Sequence, residues 1–326
     1  KNVILDLRSN PGGLLGEAVN ISNLFLPKGK VITTTKAKVK KWSNTYLSRN
    51  NPIDLEIPIV VLINGSSASA SEIVTGAIQD YDRGVVMGKR SFGKGLVQRY
   101  RTLSYGTQLK VTISKYYTPS GRCIQELDYA NRDFKTGKVP KFSDSGINEF
   151  TTQNGRKVYD GGGIIPDIVT EKETLTVVTK ALLKSRAIFN FAVNFKKKNP
   201  TIKSAKDFRF NDADFKTFQR FLSTDTTFVT EQEKSFQKAY RGLNSVQNKK
   251  VAKDYLAVLK TLKEEKIASL SSNKEFLKNE IKELILDQYF YQVGVYQNKV
   301  SSDKTILEAV TLLKDKKKYT QILSGK

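Results

Sequence analysis

The run Ile57-Pro58-Ile59-Val60-Val61-Leu62-Ile63 constrains this chain more than any other stretch. Seven residues without a charge and without alternation, mostly β-branched and closed by Asn64-Gly65, predict a buried strand. The run is far short of the ~20 apolar residues that a membrane-spanning helix needs, and no longer apolar run exists. Val3-Ile4-Leu5-Asp6-Leu7 reads the same way and ends in the turn signal Asn10-Pro11-Gly12-Gly13. Leu14 to Phe25 has the spacing of a short helix, and Ser69 to Asp80 predicts a second, with Ile73, Ala77 and Ile78 on one face. Gly84–Gly88 is a third short strand, and Leu96–Leu103 with Gln108–Tyr117 reads as a hairpin. Strands alternating with helices predict a layered α/β core up to about residue 170, with residues 126–160 as a polar surface excursion.

From about Thr174 helical periodicity takes over. Leu175, Val178, Leu182, Phe189 and Ala192, then Phe215, Phe218 and Leu222, then Leu277, Ile281, Leu284 and Ile285 recur at helical spacing. Capping boxes are expected at Thr230-x-x-Glu233 and Ser272-x-x-Glu275. The predicted division is therefore a core over 1–173 and an all-α domain over 174–326, whose aromatics read as core.

Composition excludes whole classes of chemistry. The 326 residues contain no histidine, so a Ser-His-Asp or Cys-His arrangement and a His-ligated zinc are ruled out. One cysteine, Cys123, allows no internal disulfide and no Cys-rich metal site, and reads as a small packing residue. Acid–base work falls to lysine, carboxylates or tyrosine. The net charge of +23 suggests nucleic acid at first. Residues 1–170 hold 24 basic and 14 acidic side chains, and residues 171–326 hold 31 and 18, so the excess is spread along the chain. No zinc knuckle, RNP-like motif or basic heptad region accompanies it, and no nucleic-acid partner is expected.

Three constellations could carry chemistry. Asn64-Gly65-Ser66-Ser67-Ala68-Ser69-Ala70-Ser71-Glu72 lies between a buried strand and a helix start, where free N–H groups and a positive dipole end suit a serine nucleophile and an oxyanion. The bland alternative is that Ser69-x-x-Glu72 is only a capping box. Ser91-Phe92-Gly93-Lys94-Gly95-Leu96-Val97-Gln98 places Lys94 between two glycines with Gln98 four residues on, which on a strand is the same face. A desolvated, neutral lysine is the natural base for a serine here; a solvated lysine in a glycine turn is the alternative. Gly88-x4-Gly93-Lys94 also matches most of a phosphate-binding loop, but Gly95 stands where a Ser or Thr is needed, and a strand follows instead of a helix.

Read in order, Asp6-Leu7-Arg8-Ser9-Asn10-Pro11-Gly12-Gly13, Gly65–Ile73, Ser91–Gln98, Tyr116-Tyr117-Thr118-Pro119-Ser120-Gly121-Arg122 and Gly163-Ile164-Ile165-Pro166-Asp167-Ile168 resemble the C-terminal processing (tail-specific) serine peptidases. The resemblance covers roughly residues 1–170 and implies a crotonase-like α/β spiral followed by a helical domain. It implies Ser69 as nucleophile, Lys94 as base, Gln98 as support for the lysine, and an oxyanion hole from the backbone N–H of Ala70 with that of Gly12 or Gly13. Neither metal nor cofactor is implied. Family members usually carry a PDZ domain before the Asp-Leu-Arg motif, and this chain starts just after where one would end, so an upstream segment with any targeting signal is expected. The implied partners are protein substrates with apolar C-terminal tails, with self-association or an adaptor as further options, and the implied location is extracytoplasmic, in a bacterial periplasm. The rival from another class is a catalytically silent scaffold that docks partners through its helical domain.

Overall fold

The computed structural model describes residues 1–171, 174–242 and 249–325. The chain divides into two compact units, Lys1–Glu171 with Lys304–Lys326 and Lys172–Asp303. The expected boundary at 173/174 falls beside residues 172–173, outside the described residues.

The first unit is built on a parallel four-stranded sheet. Its strands are β1 (Val3–Asp6), β4 (Ile59–Ile63), β5 (Val85–Gly88) and β10 (Ile168–Val169), side by side in the order β1-β4-β5-β10. The unbroken apolar run of β4 follows from its place: every residue of the strand is buried. Ile59, Val61 and Ile63 face α1 (Leu15–Asn23) and α2 (Ala70–Asp80), where Ala18, Ile73, Val74, Ala77 and Ile78 complete the layer. Val60 and Leu62, with Val85 and Met87, face the other way. A strand buried on both faces needs no polar alternation.

A second, antiparallel sheet joins β2 (Val31–Lys36), β3 (Asn44–Leu47), β6 (Leu96–Thr102) and β7 (Gln108–Tyr117) in the order β3-β2-β7-β6. The β6–β7 hairpin lies where its sequence predicts; β2 and β3 lie outside the predicted strands, although Val31–Thr35 is β-branched throughout. Threonine hydroxyls take the place of apolar contacts there: Thr33 Oγ1 donates to the Tyr117 carbonyl at 2.8 Å and Thr35 Oγ1 accepts from the Asn44 N–H at 3.0 Å. The 126–160 excursion contains one small hairpin, β8 (Glu149–Thr151) with β9 (Lys157–Tyr159).

The second unit is helical, with α3 (Val177–Lys184), α4 (Ala187–Lys198), α5 (Asp212–Thr224), α6 (Glu231–Gly242), α7 (Lys249–Ser269) and α8 (Lys274–Ser302). Leu182, Phe215, Phe218, Leu222, Leu277, Ile281 and Ile285 form its core as their spacing predicts. Phe189 does not: the chain breaks at Ser185–Arg186, the helical phase restarts, and Ile188 and Phe191 are buried in its place. The box at Thr230–Glu233 is closed, with the Glu233 carboxylate accepting from the Thr230 N–H at 2.7 Å. The box expected at Ser272–Glu275 is absent. The last turn before α8 is a 3₁₀ turn running straight into it, so Asn273 stands at the N-cap, and its side chain reaches Thr176 and Thr179 instead.

Helices α9 (Lys304–Lys314) and α10 (Lys316–Ser324) belong to the first unit. Ala309, Leu312 and Leu313 cover Val60, Leu62, Val85 and Met87. An all-helical domain running to residue 326 is thus corrected: its last two helices are the second cover of the α/β sheet.

Candidate active site

Parallel strands bring their C-terminal ends to one edge, and three loops meet there: Asn10–Gly13 after β1, Asn64–Ser69 after β4 and Lys89–Gly95 after β5. Open α/β sheets hold their ligands at this edge. Buried Ser67 pins the second loop to the first, accepting from the Asn64 N–H and donating to the Leu7 carbonyl at 2.7 Å. Ser71 Oγ donates to the Asn10 carbonyl at 3.1 Å, and the Ala68 N–H donates to the same oxygen at 3.0 Å. Ser67 and Ser71 are therefore tied to the scaffold, whereas Ser69 is half-buried and opens on a cleft.

Ser69 sits at the start of α2 with φ 58° and ψ −115°. An ordinary N-cap has extended backbone, so a cap alone does not account for this geometry. A non-glycine residue held there costs on the order of 1–3 kcal/mol, and such positions cluster at functional sites. The capping box is present as well, the Ser69 N–H donating to Glu72 Oε2 at 2.8 Å. The local capping role of Ser69 therefore holds, with the strained backbone beside it.

Glu72 does more than close a helix. It is fully buried and accepts four hydrogen bonds: from Ser91 Oγ at 2.6 Å and the Gly93 N–H at 2.7 Å on Oε1, and from the Ser69 N–H and the Lys94 N–H, at 2.9 Å, on Oε2. Burial pushes its carboxyl up, while these donors pull the other way. The Tyr116 hydroxyl completes the tie from the carbonyl side, 3.1 Å from Ser69 O and 2.5 Å from Lys94 O. Burial, with the Glu72 charge nearby, holds this hydroxyl well above the usual tyrosine range, so it keeps its proton for donation. The two residues thus clamp Ser69 and Lys94 by both their N–H and their C=O groups. Sequence reasoning placed Tyr116 in a motif without giving it a role, and gave Glu72 only the local one.

The glycines around Lys94 have a steric cause. Gly93 has φ +85°, and a Cβ there would stand 2.7 Å from Glu126 Cβ; at Gly95 it would stand 2.8 Å from the Gln125 nitrogen. Lys94 precedes β6, so it does not share a strand with Gln98. Ser69, Lys94 and Gln98 nevertheless line one cleft of about 350 Å³, together with Gly13, Ala70 and Tyr116. Lys94 and Gln98 are exposed, and among the described residues no hydrogen bond joins Lys94 Nζ to Ser69 or to Gln98. A strand follows the Gly88–Lys94 stretch, so no helix start faces it, as a phosphate loop requires.

Two backbone donors belong to residues that line the cleft with Ser69. The Ala70 N–H opens α2, and the Gly13 N–H has no acceptor among the described residues. The Gly12 N–H is committed to Asn10 Oδ1 at 2.9 Å, which removes it from the expected pair. Gly12 contributes by being small: at φ +89° its missing Cβ would stand 2.6 Å from the Ala70 nitrogen.

The remaining motifs hold these loops in place. Arg122 is buried against Asp80 at 2.6 Å, tying the end of β7 to α2. Ser91 exchanges hydrogen bonds with Ile164, at 3.0 Å to its carbonyl and 2.6 Å from its N–H.

Residues 1–133 match the model of peptidase family S41, and residues 178–313 match the model described as "Probable PDZ-protease, C-terminal helical domain". A carboxy-terminal-processing protease of Bartonella bacilliformis is 47% identical over 127 residues, which are 39% of this chain and 29% of that protein. A probable CtpA-like serine protease of Staphylococcus aureus is 43% identical over 128 residues, 38% of this chain and 25% of that one. The solved photosystem II D1 C-terminal processing protease is 30% identical, with 54% of this chain and 36% of that chain covered and a TM-score of 0.39. The chain spans less than a third of the length of these curated relatives.

Proposed function

We propose that this chain, a member of peptidase family S41 by its residues 1–133, is a serine endopeptidase that cleaves near the C-termini of proteins through a Ser69–Lys94 dyad. The observation that carries the reading is the shared clamp: Glu72 and Tyr116 hold the backbones of Ser69 and Lys94 to each other at the mouth of one cleft. Such a device has no use in a scaffold protein that never needs those two side chains together.

In this mechanism neutral Lys94 removes the Ser69 Oγ proton as the oxygen attacks the scissile carbonyl. The N–H groups of Ala70 and Gly13 receive the oxyanion. As the C–N bond breaks, Lys94 passes its proton to the leaving amine, then takes one from the water that attacks the acyl-enzyme. Gln98 steadies the amine. We assign the first unit a crotonase-like spiral, and the protein an extracytoplasmic place and substrates with apolar C-terminal tails, on family resemblance.

A serine-reactive phosphonate should label Ser69 alone, and Ser69→Ala should abolish both labelling and peptide hydrolysis while changing stability by about 1 kcal/mol, the worth of a cap. Hydrolysis surviving in Ser69→Ala would overturn the assignment.

A further inference from the structure

A second cavity, of about 600 Å³, adjoins the Ser69 cleft. Lys94, Leu96 and Gln98 line both, whereas Ser69, Ala70 and Gly13 line only the first. The larger cavity therefore lies beyond Lys94 as seen from Ser69, on the side away from the oxyanion donors. Its size falls within the range of a built ligand site.

The walls are apolar, with Phe92, Leu96, Leu127, Tyr129 and Phe142 prominent among them. Two of the polar groups between them, Gln125 and Asp128, are already matched. Gln125 Oε1 accepts from the Gly95 N–H at 2.7 Å, and its Nε2 donates to the Leu127 carbonyl at 2.9 Å. Asp128 accepts from the Ala130 N–H at 3.2 Å and from Asn131 Nδ2 at 2.6 Å. Lys115 Nζ lies over the Phe142 ring, 4.3 Å from its centroid. An apolar side chain entering there would cover Phe92 and Tyr129, each about half exposed in the free protein.

We infer that this cavity receives a bulky apolar side chain of the leaving fragment, so that the enzyme selects substrates on the C-terminal side of the cut. The inference rests on the Ser69–Lys94 reading: the base that protonates the leaving amine must stand beside it, so the chain attached to that amine departs past Lys94. Continuity of the two cavities across Lys94, Leu96 and Gln98 gives it somewhere to go.

The test uses quenched peptides with one common acyl half and either Phe or Asn at the first two positions of the leaving half. Wild type should favour Phe by on the order of tenfold in kcat/KM, as burying one large apolar side chain provides. Ala130→Trp, which fills the cavity from an exposed position, should cut that preference below about threefold. Phe142→Ala, which removes a wall, should do the same. Hydrolysis of the methyl ester of the acyl half, whose leaving group cannot reach the cavity, should be unchanged in both variants. In parallel, the free leaving-half peptide is titrated into Ser69→Ala by calorimetry, with and without Ala130→Trp. Weaker binding in the filled variant supports the site even if turnover is absent; equal binding, or a Phe preference that survives both variants, overturns it. Absence of Ser69 labelling would instead count against the peptidase reading and leave the calorimetric result to decide on the cavity.

Discussion

Glu72 is the residue on which the site depends most, because all four of its neighbours donate. Glu72→Gln keeps the shape and removes an acceptor. Placed at Oε2, the new NH₂ group would oppose two backbone N–H groups, those of Ser69 and Lys94; placed at Oε1, it could donate to Ser91 Oγ but would still oppose the Gly93 N–H. No orientation satisfies every donor. The variant should lose about 1–3 kcal/mol, the cost of leaving a buried donor unpaired. Its phosphonate labelling at Ser69 should slow by more than tenfold while it stays folded, because a displacement of about 1 Å at a site can cost on the order of 10²-fold. Near-normal labelling at wild-type melting temperature would show that the clamp does not position the dyad. The sequence singles out Ser69 and Lys94 as candidates because their motifs are local and ordered. It cannot name the clamp, since Glu72 meets Gly93 and Lys94, and Tyr116 meets Ser69, only after three loops have come to one sheet edge. The commitment of the Gly12 N–H to Asn10 is also a fact of turn geometry, invisible in the string Asn-Pro-Gly-Gly.

Among the elements, the junction of α6 and α7 makes a prediction of its own. Glu233 and Lys266 are both buried, and Lys266 Nζ stands 2.7 and 2.8 Å from the two carboxylate oxygens and 2.7 Å from the Phe228 carbonyl. Burial opposes the Glu233 charge, yet Lys266 and Thr230 together hold the carboxyl below its ordinary range. A depressed carboxyl contributes stability above its unfolded value of about 4.3, and that contribution is lost as pH falls through the lower folded value. Amide exchange protection in α6 should therefore weaken below about pH 4 in the wild type. Lys266→Met leaves the carboxylate unpaired, so the variant should be about 3 kcal/mol worse at pH 7, with the gap narrowing on acidification as Glu233 takes a proton. A gap independent of pH would mean that only packing was lost. Legibility differs among elements for related reasons. Runs such as β4 declare themselves by unbroken apolar composition; β2 carries threonines whose hydroxyls bond to neighbouring strands, so it stands out less. The Thr230 box is visible because its partners are three residues apart, while Asn273, at the N-cap of α8, turns its side chain to Thr176 and Thr179, nearly a hundred residues away.

At the scale of the whole molecule, the α/β unit is not contiguous in sequence. One face of its sheet is covered by α1 and α2, and the other by α9 and α10, which arrive only after the helical unit has been completed. Helical periodicity past Thr174 predicts helices correctly but cannot say which core they join, since an apolar stripe fits either. Here the stripe Ala309, Leu312 and Leu313 lies on Val60, Leu62, Val85 and Met87, and the Tyr319 hydroxyl accepts from the Ile59 N–H and donates to the Ile59 carbonyl, both at 2.9 Å. A chain ending at Glu171 would expose those four sheet residues. At about 1.5–3 kcal/mol for each large apolar side chain, the loss is comparable with the ~5–15 kcal/mol that holds a domain folded. It should be insoluble or lack a cooperative melting transition. The complementary deletion should be tolerated, because Lys304 Nζ lies 2.7 Å from Glu171 Oε2, so the two ends of the unit are neighbours. Residues 1–171 joined to 304–326 through a short Gly/Ser linker should therefore fold, melt cooperatively and still react with a phosphonate at Ser69. If residues 1–171 alone fold as well as the joined chain does, α9 and α10 are an ornament on a self-sufficient core. If neither folds, the helical unit carries part of the stability that the sheet contacts of α9 and α10 are assigned here.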